Sequence, residues 1–270
     1  MDESNLAWES IEIIRKNGRA NAIDYINSLF TDFFELHGDR NFKDDQAIKS
    51  GIALYKGRPV TVIAQIKGKN LEENKKTNFS MPHPEGYRKA MRLAKQAEKF
   101  QRPIICFVDT PGAYCGIDAE KRGQGEAIAS SMYMFSRLKT PIITIILGEG
   151  GSGGALALAV CDKLAMLEHT VYSVISPRGC ASILWKDGSQ EKKAAEALCI
   201  TAKHLYEMQV CDVILKEGDA DNEQQRFATA VSEMEKFIDE TIPIFYNMKV
   251  SDLLENRYNK FRKIAEYEEM

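Results

Sequence analysis

Short continuous apolar runs alternate with helix-spaced apolar stripes through the middle of the chain, a pattern that predicts layered α/β architecture. Ahead of that region, residues 5–30 read as two helical pieces split by Asn17-Gly18. The second keeps Ala22, Ile23, Tyr25, Ile26, Leu29 and Phe30 at helical spacing. A polar loop, Glu35 to Arg40, comes next. Ile48 to Tyr55 and Pro59 to Ile66 then flank Lys56-Gly57-Arg58, a hairpin signal. Lys67 to Met81 has no apolar period and predicts a mobile surface loop. Its basic cluster, Lys67, Lys69, Lys75 and Lys76, could meet phosphates, although a solvated loop is the plainer reading.

Glu85 to Phe100 predicts a helix with Tyr87, Ala90, Met91, Ala94, Ala97 and Phe100 on one stripe. Pro103 to Val108 (PIICFV) reads as a buried strand, closed by a loop from Asp109 to Gly116. A helix over residues 124–138 turns Ala127, Ile128, Met132, Phe135 and Leu138 inward. Pro141 to Leu147 (PIITIIL) is β-branched and too short for a comfortable helix, so it predicts a second buried strand. Gly148-Glu149-Gly150-Gly151-Ser152-Gly153-Gly154 follows, then the small apolar segment Ala155 to Val160. Two glycine loops after successive strands place both at the carboxyl edge of a parallel sheet, where α/β folds hold ligands.

Short strands are expected at Lys163 to Glu168 and Val171 to Val174. Ser176 and Pro177 suit the N-cap and first position of a helix through Trp185. Helical segments at 190–198 and 201–208 lead to a strand at Val213 to Leu215, and a polar linker to helices over 223–240 and 251–267. The last is highly charged and reads more readily as a helix laid against a partner than as part of a core.

With 270 residues, 44% of them apolar, the chain can bury one large core or two modest ones. Lys plus Arg number 36 and Asp plus Glu 39; the net charge of −3 gives no overall case for nucleic acid. The acidic start MDESNLAWES lacks a signal-peptide pattern and no apolar run reaches membrane-spanning length, so a cytoplasmic protein is expected, with no membrane partner. Six cysteines without C-x-x-C spacing and four scattered histidines predict neither a disulfide frame nor a metal site.

The glycine stretch is the candidate for chemistry. Backbone N–H groups at a helix start lack internal acceptors and carry the positive end of the helix dipole, so they form an anion or oxyanion cradle. The bland alternative is that the glycines only relieve crowding between strand and helix. Gly148 to Gly153 also matches G-x-G-x-x-G with Glu168 further on, but the following helix is short for a dinucleotide-binding unit. A phosphate-binding Walker loop fails for want of Gly-Lys-Ser/Thr, and a serine nucleophile at Ser152 has no well-placed His/Asp pair. A cradle without nucleophile, metal or base suits reactions in which charge appears on a carbonyl oxygen.

Several motifs carry a family resemblance: Glu35-Leu36-His37-Gly38-Asp39-Arg40, Pro84 to Ala90, Asp109-Thr110-Pro111-Gly112-Ala113-Tyr114, Gly123-Gln124, Gly148 to Ala157, and Tyr172 to Pro177 followed by Gly179 to Trp185. In this order, over residues 21–215, they resemble the alpha subunit of bacterial acetyl-CoA carboxylase carboxyltransferase. The resemblance implies a crotonase-type superhelix of ββα units with flanking helices. It divides the chain into an N-terminal helical segment (1–34), a carboxyltransferase domain (35–218) and C-terminal, partner-contacting helices (219–270). It also implies a zinc-bearing beta subunit in an α2β2 assembly, with biotin carboxylase in the larger complex. Carboxylate would pass from carboxybiotin, held on a biotin carboxyl carrier protein, to acetyl-CoA, giving malonyl-CoA for fatty-acid synthesis. Zinc would belong to the partner, leaving no metal in this chain.

Carried over to this sequence, backbone amides of Gly150, Gly151, Gly153 and Gly154 would hold the ureido oxygen of biotin. Gly112, Ala113, Tyr114 and Gly116 would wall the cleft, with Tyr114 either packed on the bicyclic ring or serving as an ordinary loop aromatic. Three departures stand out: Arg178 for a usual Glu, Cys115 for a usual Pro, and Ser80 for a usual Gly. The remaining alternatives are a carboxyltransferase for another acyl-CoA and a non-catalytic assembly or regulatory protein.

Overall fold

The computed structural model describes residues 6–16, 18–218 and 222–264. Helices α1 (Leu6–Arg15) and α2 (Ala22–Leu29) precede strand β1 (Thr31–Glu35) and the hairpin β2 (Ile48–Tyr55) and β3 (Arg58–Gln65). Then come α3 (Leu71–Lys76), α4 (Pro84–Lys99), β4 (Ile104–Thr110), α5 (Ile117–Lys121), α6 (Gln124–Arg137), β5 (Ile142–Gly151) and α7 (Ser152–Ala159). The chain continues through β6 (Lys163–Leu167), β7 (Val171–Ser173), α8 (Pro177–Trp185), α9 (Glu191–Ala197), α10 (Ala202–Glu207), β8 (Val213–Leu215), α11 (Glu223–Tyr246) and α12 (Val250–Lys263).

The sheet runs β1-β2-β3-β4-β5-β6-β8, antiparallel through β3 and parallel from there on. It forks at β5, which pairs β6 through Ile143 to Ile146 and β7 through Glu149 to Gly151. Side chains alternate between two helical layers, as a pleated strand requires. In β4, Ile105 and Phe107 face a cluster with Tyr25 and Ile26 of α2 and Met234 and Phe237 of α11. Ile104, Cys106 and Val108 face Leu93 and Ala94 of α4, Phe135 of α6 and Leu158 of α7. Burial on both faces explains why β4 and β5 read as unbroken apolar runs. The hairpin turns on Lys56 and Gly57, both at positive φ (47° and 78°), as a two-residue turn matched to strand twist demands.

Three expectations need correction. β1 lies in a stretch read as helix and loop; it is an edge strand that runs close over Gly51, where a Cβ would come 2.2 Å from the Phe34 carbonyl oxygen. The segment after β3 is not a loop. Asn70 caps α3 by accepting from the Glu73 N–H at 2.9 Å, and Asn78, Phe79 and Ser80 form a left-handed turn at φ 50–59°. That conformation explains why glycine suits position 80. Ser80 stands there instead, its hydroxyl donating to the Asp109 carbonyl while Thr110 Oγ1 donates to the Ser80 carbonyl. Finally, Phe100 lies past the end of α4 and is 56% exposed rather than part of its buried stripe.

The charged C-terminal helix is anchored in its own chain. Arg257 of α12 is buried, and its guanidinium donates to both Asp162 oxygens (2.8 and 2.7 Å) and to the carbonyls of Phe135, Leu138 and Thr140. α4 is pinned similarly. The buried Lys89 ammonium donates to Asp44 Oδ1 at 2.6 Å and to the Asp45 carbonyl at 2.7 Å. Burial alone would raise the Asp44 carboxyl, but bonds from Lys89, the Gly38 N–H and His37 outweigh it and lower its pKa to about 2. A depressed carboxylate stabilises the fold above its unfolded pKa and loses that contribution as pH falls through the folded value. Solvent screening limits the contribution to about 1 kcal/mol. The gap in melting temperature between wild type and Asp44→Asn, present at neutral pH, should therefore close as pH falls toward about 2.

Candidate active site

β5 runs further than its apolar stretch suggests, carrying Gly148 to Gly151 inside the sheet before α7 begins at Ser152. Gly150 is in register with Thr110 on one side and Tyr172 on the other, and Gly151 with Ser173. Gly150 and Gly151 are therefore strand residues, whereas Gly153 and Gly154 lie in the first turn of α7. The turn is made at Ser152, a non-glycine residue held at φ 52°. Gly151 caps α7 without a side-chain bond. The first-turn amides of Ser152, Gly153 and Gly154 have no acceptor within the helix and carry its positive end.

Most of the glycines also answer to packing. A Cβ on Gly148 would sit 2.5 Å from an Asp109 carboxylate oxygen, and one on Gly150 would sit 2.8 Å from the Tyr172 ring. A Cβ on Gly151 would come 2.1 Å from the Pro111 carbonyl oxygen, and one on Gly154 would come 2.4 Å from the Ala113 nitrogen. Gly153 differs: its nearest neighbour would be Ile128 Cγ2 at 3.3 Å. Relief of crowding and a row of amides thus coexist in one segment.

At eight residues α7 is too short to be stable alone. Its carbonyls are tied to the body: Gln65 and Tyr87 donate to Gly154, Ser131 to Ala157 and Thr144 to Leu158. The start of the helix stays open. Ser152 and Gly153 border an apolar cavity of about 320 Å³ walled by Leu156, Tyr172, Val174 and, from α12, Phe261. On the other side, Gly150, Gly151 and Ser152 border a smaller one of about 90 Å³ with Pro111, Ile175 and Pro177. Ser152 and Ser173 are common to both.

None of the four predicted wall residues borders either cavity; Gly112 and Ala113 pack directly beneath Gly151 and Gly154. The Tyr114 ring lies over Gly116 and against His83, with centroids 4.6 Å apart. Sequence reasoning weighed Ser152 only as a nucleophile, and passed over Ser173 and the α12 wall. The Ser176-Pro177 signal could have pointed to part of it, since Ser176 does accept from the Gly179 N–H and its helix start borders the smaller cavity.

Charges around the amides are internally matched. Arg15 pairs with Glu149 at 2.9 Å, and Lys260, at the far end of the larger cavity, pairs with Asp212. Asp109 at the end of β4 is buried, which raises its pKa against the opposing pull of Lys67 and the Glu149 N–H. Among the described residues, no group of three His, Cys, Asp or Glu side chains could hold a metal ion, and no helix is long and apolar enough to cross a membrane.

Solved structures share this architecture. A Pseudomonas malonate decarboxylase hetero-tetramer in complex with coenzyme A contains a chain matching at TM-score 0.66 and 15% identity, covering 96% of this chain and 95% of that one. Transcarboxylase 12S matches at TM-score 0.64 and 17% identity, covering 86% of this chain and 44% of that one. Such likenesses show the crotonase-type fold. Sequence relatives are much nearer. The acetyl-coenzyme A carboxylase carboxyl transferase subunit alpha of Clostridium perfringens is 55% identical over 260 residues, 96% of this chain and 95% of that protein. Its counterpart in Listeria innocua is 53% identical over 264 residues, 97% of this chain and 82% of that protein. The family model described as acetyl co-enzyme A carboxylase carboxyltransferase-like matches residues 3–265. With the motifs in order, the fold shared and identity above one half along nearly the whole length, the chain belongs to the acetyl-CoA carboxylase carboxyltransferase alpha-subunit family.

Proposed function

We propose that this chain transfers carboxylate from carboxybiotin on a carrier protein to acetyl-CoA, giving malonyl-CoA for fatty-acid synthesis, in partnership with a zinc-bearing beta subunit. The observation that carries the proposal is the pair of uncapped first-turn amides at Ser152 and Gly153, opening onto a space of about 320 Å³ rather than onto packed side chains. That volume lies within the range of small-molecule sites.

The residues present fit the ring of biotin. Leu156, Tyr172, Val174 and Phe261 offer apolar walls, while the amides of Ser152 and Gly153 offer donors to a ureido oxygen. Gly150 and Gly151 form the floor that lets the two loops approach. Biotin, when bound, supplies the nitrogen that carries the carboxylate and can afterwards accept a proton. This chain orients the ring, keeps water off its apolar face and stabilises negative charge on the oxygen, at about 3 to 4 kcal/mol per well-placed donor. Among the described residues bordering the two cavities, Arg15 and Glu149 neutralise each other and Lys260 is engaged by Asp212, so the chain offers no free base of its own there.

An α2β2 assembly served by biotin carboxylase follows from this reading, because one chain supplies only the biotin side of the cleft. Mixing the purified chain with its beta partner, a biotin carrier, acetyl-CoA and bicarbonate-charged biotin should give malonyl-CoA, with none formed when the beta subunit is left out. Turnover by the chain alone would instead point to a self-contained hydratase or hydrolase.

A further inference from the structure

The carboxyl edge of the sheet holds another cavity, whose lining includes none of residues 148–154. It measures about 320 Å³ and lies between the end of α1, the approach to α2, residues 67–74 and Asp109 at the end of β4. Among the described residues, five basic side chains line it, Arg15, Lys16, Arg19, Lys67 and Lys69, against one carboxylate, that of Asp109. Three have acidic partners outside the lining: Arg15 with Glu149 at 2.9 Å, Arg19 with Glu217 at 2.7 Å and Lys69 with Asp24 at 2.6 Å. Lys67 is different, since its ammonium donates to a neutral carbonyl, that of Ile14, at 3.0 Å. Arg19 is almost wholly buried, with Nη2 on the Leu147 carbonyl and Nη1 without a hydrogen-bond partner among the described residues.

We propose that this cavity binds a phosphate-bearing small molecule, held by Lys67, Lys69 and the half-exposed Arg15 around its mouth with the buried Arg19 behind. Cations that converge from two separate stretches of chain, residues 15–19 and 67–69, suit a group carrying several charged oxygens, a phosphate monoester or diphosphate, better than a lone carboxylate. Among the described residues no aromatic side chain lines the space, so they offer no stacking surface for the bases of a nucleic acid. Arg15 also borders the small cavity beside Gly150 and Gly151, so a ligand anchored here can extend toward the amides. The phosphate could be that of an acyl-CoA or of a free phosphorylated compound. The binding proposal is independent of the carboxyltransferase reading.

Calorimetry on the full chain at low ionic strength tests it, with inorganic pyrophosphate, coenzyme A and dephospho-coenzyme A as probes. Pyrophosphate should bind, and Lys67→Gln and Lys69→Gln should each weaken it about tenfold, the usual worth of one charge-assisted bond. Physiological salt should weaken it further. Lys67→Gln also removes a tether to α1. The Lys69 variant, whose side chain is 43% exposed at the rim, therefore gives the cleaner reading, with circular dichroism to verify folding. Coenzyme A displacing pyrophosphate in a lysine-dependent way assigns the phosphate to the acyl-CoA. Pyrophosphate binding that coenzyme A does not displace assigns it to a free phosphorylated compound. Absence of binding at millimolar pyrophosphate, or affinity unchanged in both variants, overturns the proposal.

Discussion

Gly151→Ala should destabilise the protein by about 3 kcal/mol or more, the upper range of overpacking costs, whereas Gly153→Ala should fold with a change of about 1 kcal/mol or less. The two positions are two residues apart and differ in what surrounds them. A methyl at 151 meets only backbone: the Pro111 oxygen at 2.1 Å, the Pro111 carbonyl carbon at 2.3 Å and the Gly112 nitrogen at 2.7 Å. None of these atoms can rotate away, so β4 and β5 would have to separate at their ends. A methyl at 153 meets the end of one isoleucine side chain, and alanine in a helical turn recovers some backbone entropy. Because Gly153→Ala keeps its N–H, transfer in the assembled enzyme should drop by less than about tenfold, well short of the loss caused by removing a donor. Urea unfolding of both variants and carboxyl transfer by the Gly153 variant make the comparison. Equal midpoints would refute the close approach of the two loops, and a rate loss of several hundredfold in a well-folded Gly153→Ala would argue against main-chain amides as the reacting surface.

Arg257→Met should cost about 3 to 5 kcal/mol, because removing one member of a buried pair leaves the other charge unpaired. Asp162 would keep only the Ile142 N–H at 2.7 Å, and three carbonyls would lose their donor. Arg257→Lys should rescue little of this, since an ammonium cannot reach both carboxylate oxygens and three carbonyls as a planar fork does. Adding Asp162→Asn to Arg257→Met should return part of the loss, a coupling that a double-mutant cycle reads directly. The consequence extends to the site. α12 also carries Lys260 and Phe261, which border the apolar cavity, so amide exchange in α12 should accelerate and the affinity for a biotin-containing substrate should fall with it.

Much of this molecule was legible in its residues because local and long-range preferences agree. The runs PIICFV and PIITIIL are strands buried on both faces, and Lys56-Gly57 turns a hairpin whose pairing holds from Tyr55–Arg58 to Ile48–Gln65. Ser176 caps its helix as its type suggests. The illegible parts are those where tertiary neighbours override local preference. Glycines weaken an isolated strand, yet Gly148 to Gly151 continue β5 because β4 and β7 flank them. Ser152 adopts a left-handed conformation that nothing in its own chemistry demands. Tyr114 turns away from the cavities to His83, a choice fixed by a residue thirty-one positions away. Arg257, with Lys260 and the buried Leu253, holds the last helix, and charge-rich sequence gives no hint which of its many cations will be buried.

The fork in the sheet divides β5 between two tasks. Its first half, Ile143 to Ile146, shares its outer edge with β6 and is a girder of the core. Its second half, Glu149 to Gly151, gives that same edge to the three-residue β7 instead. Substrate-facing geometry can therefore be reshaped through the short partner strand, by evolution or by design, while the girder and the two cores on either side of it keep their alignment.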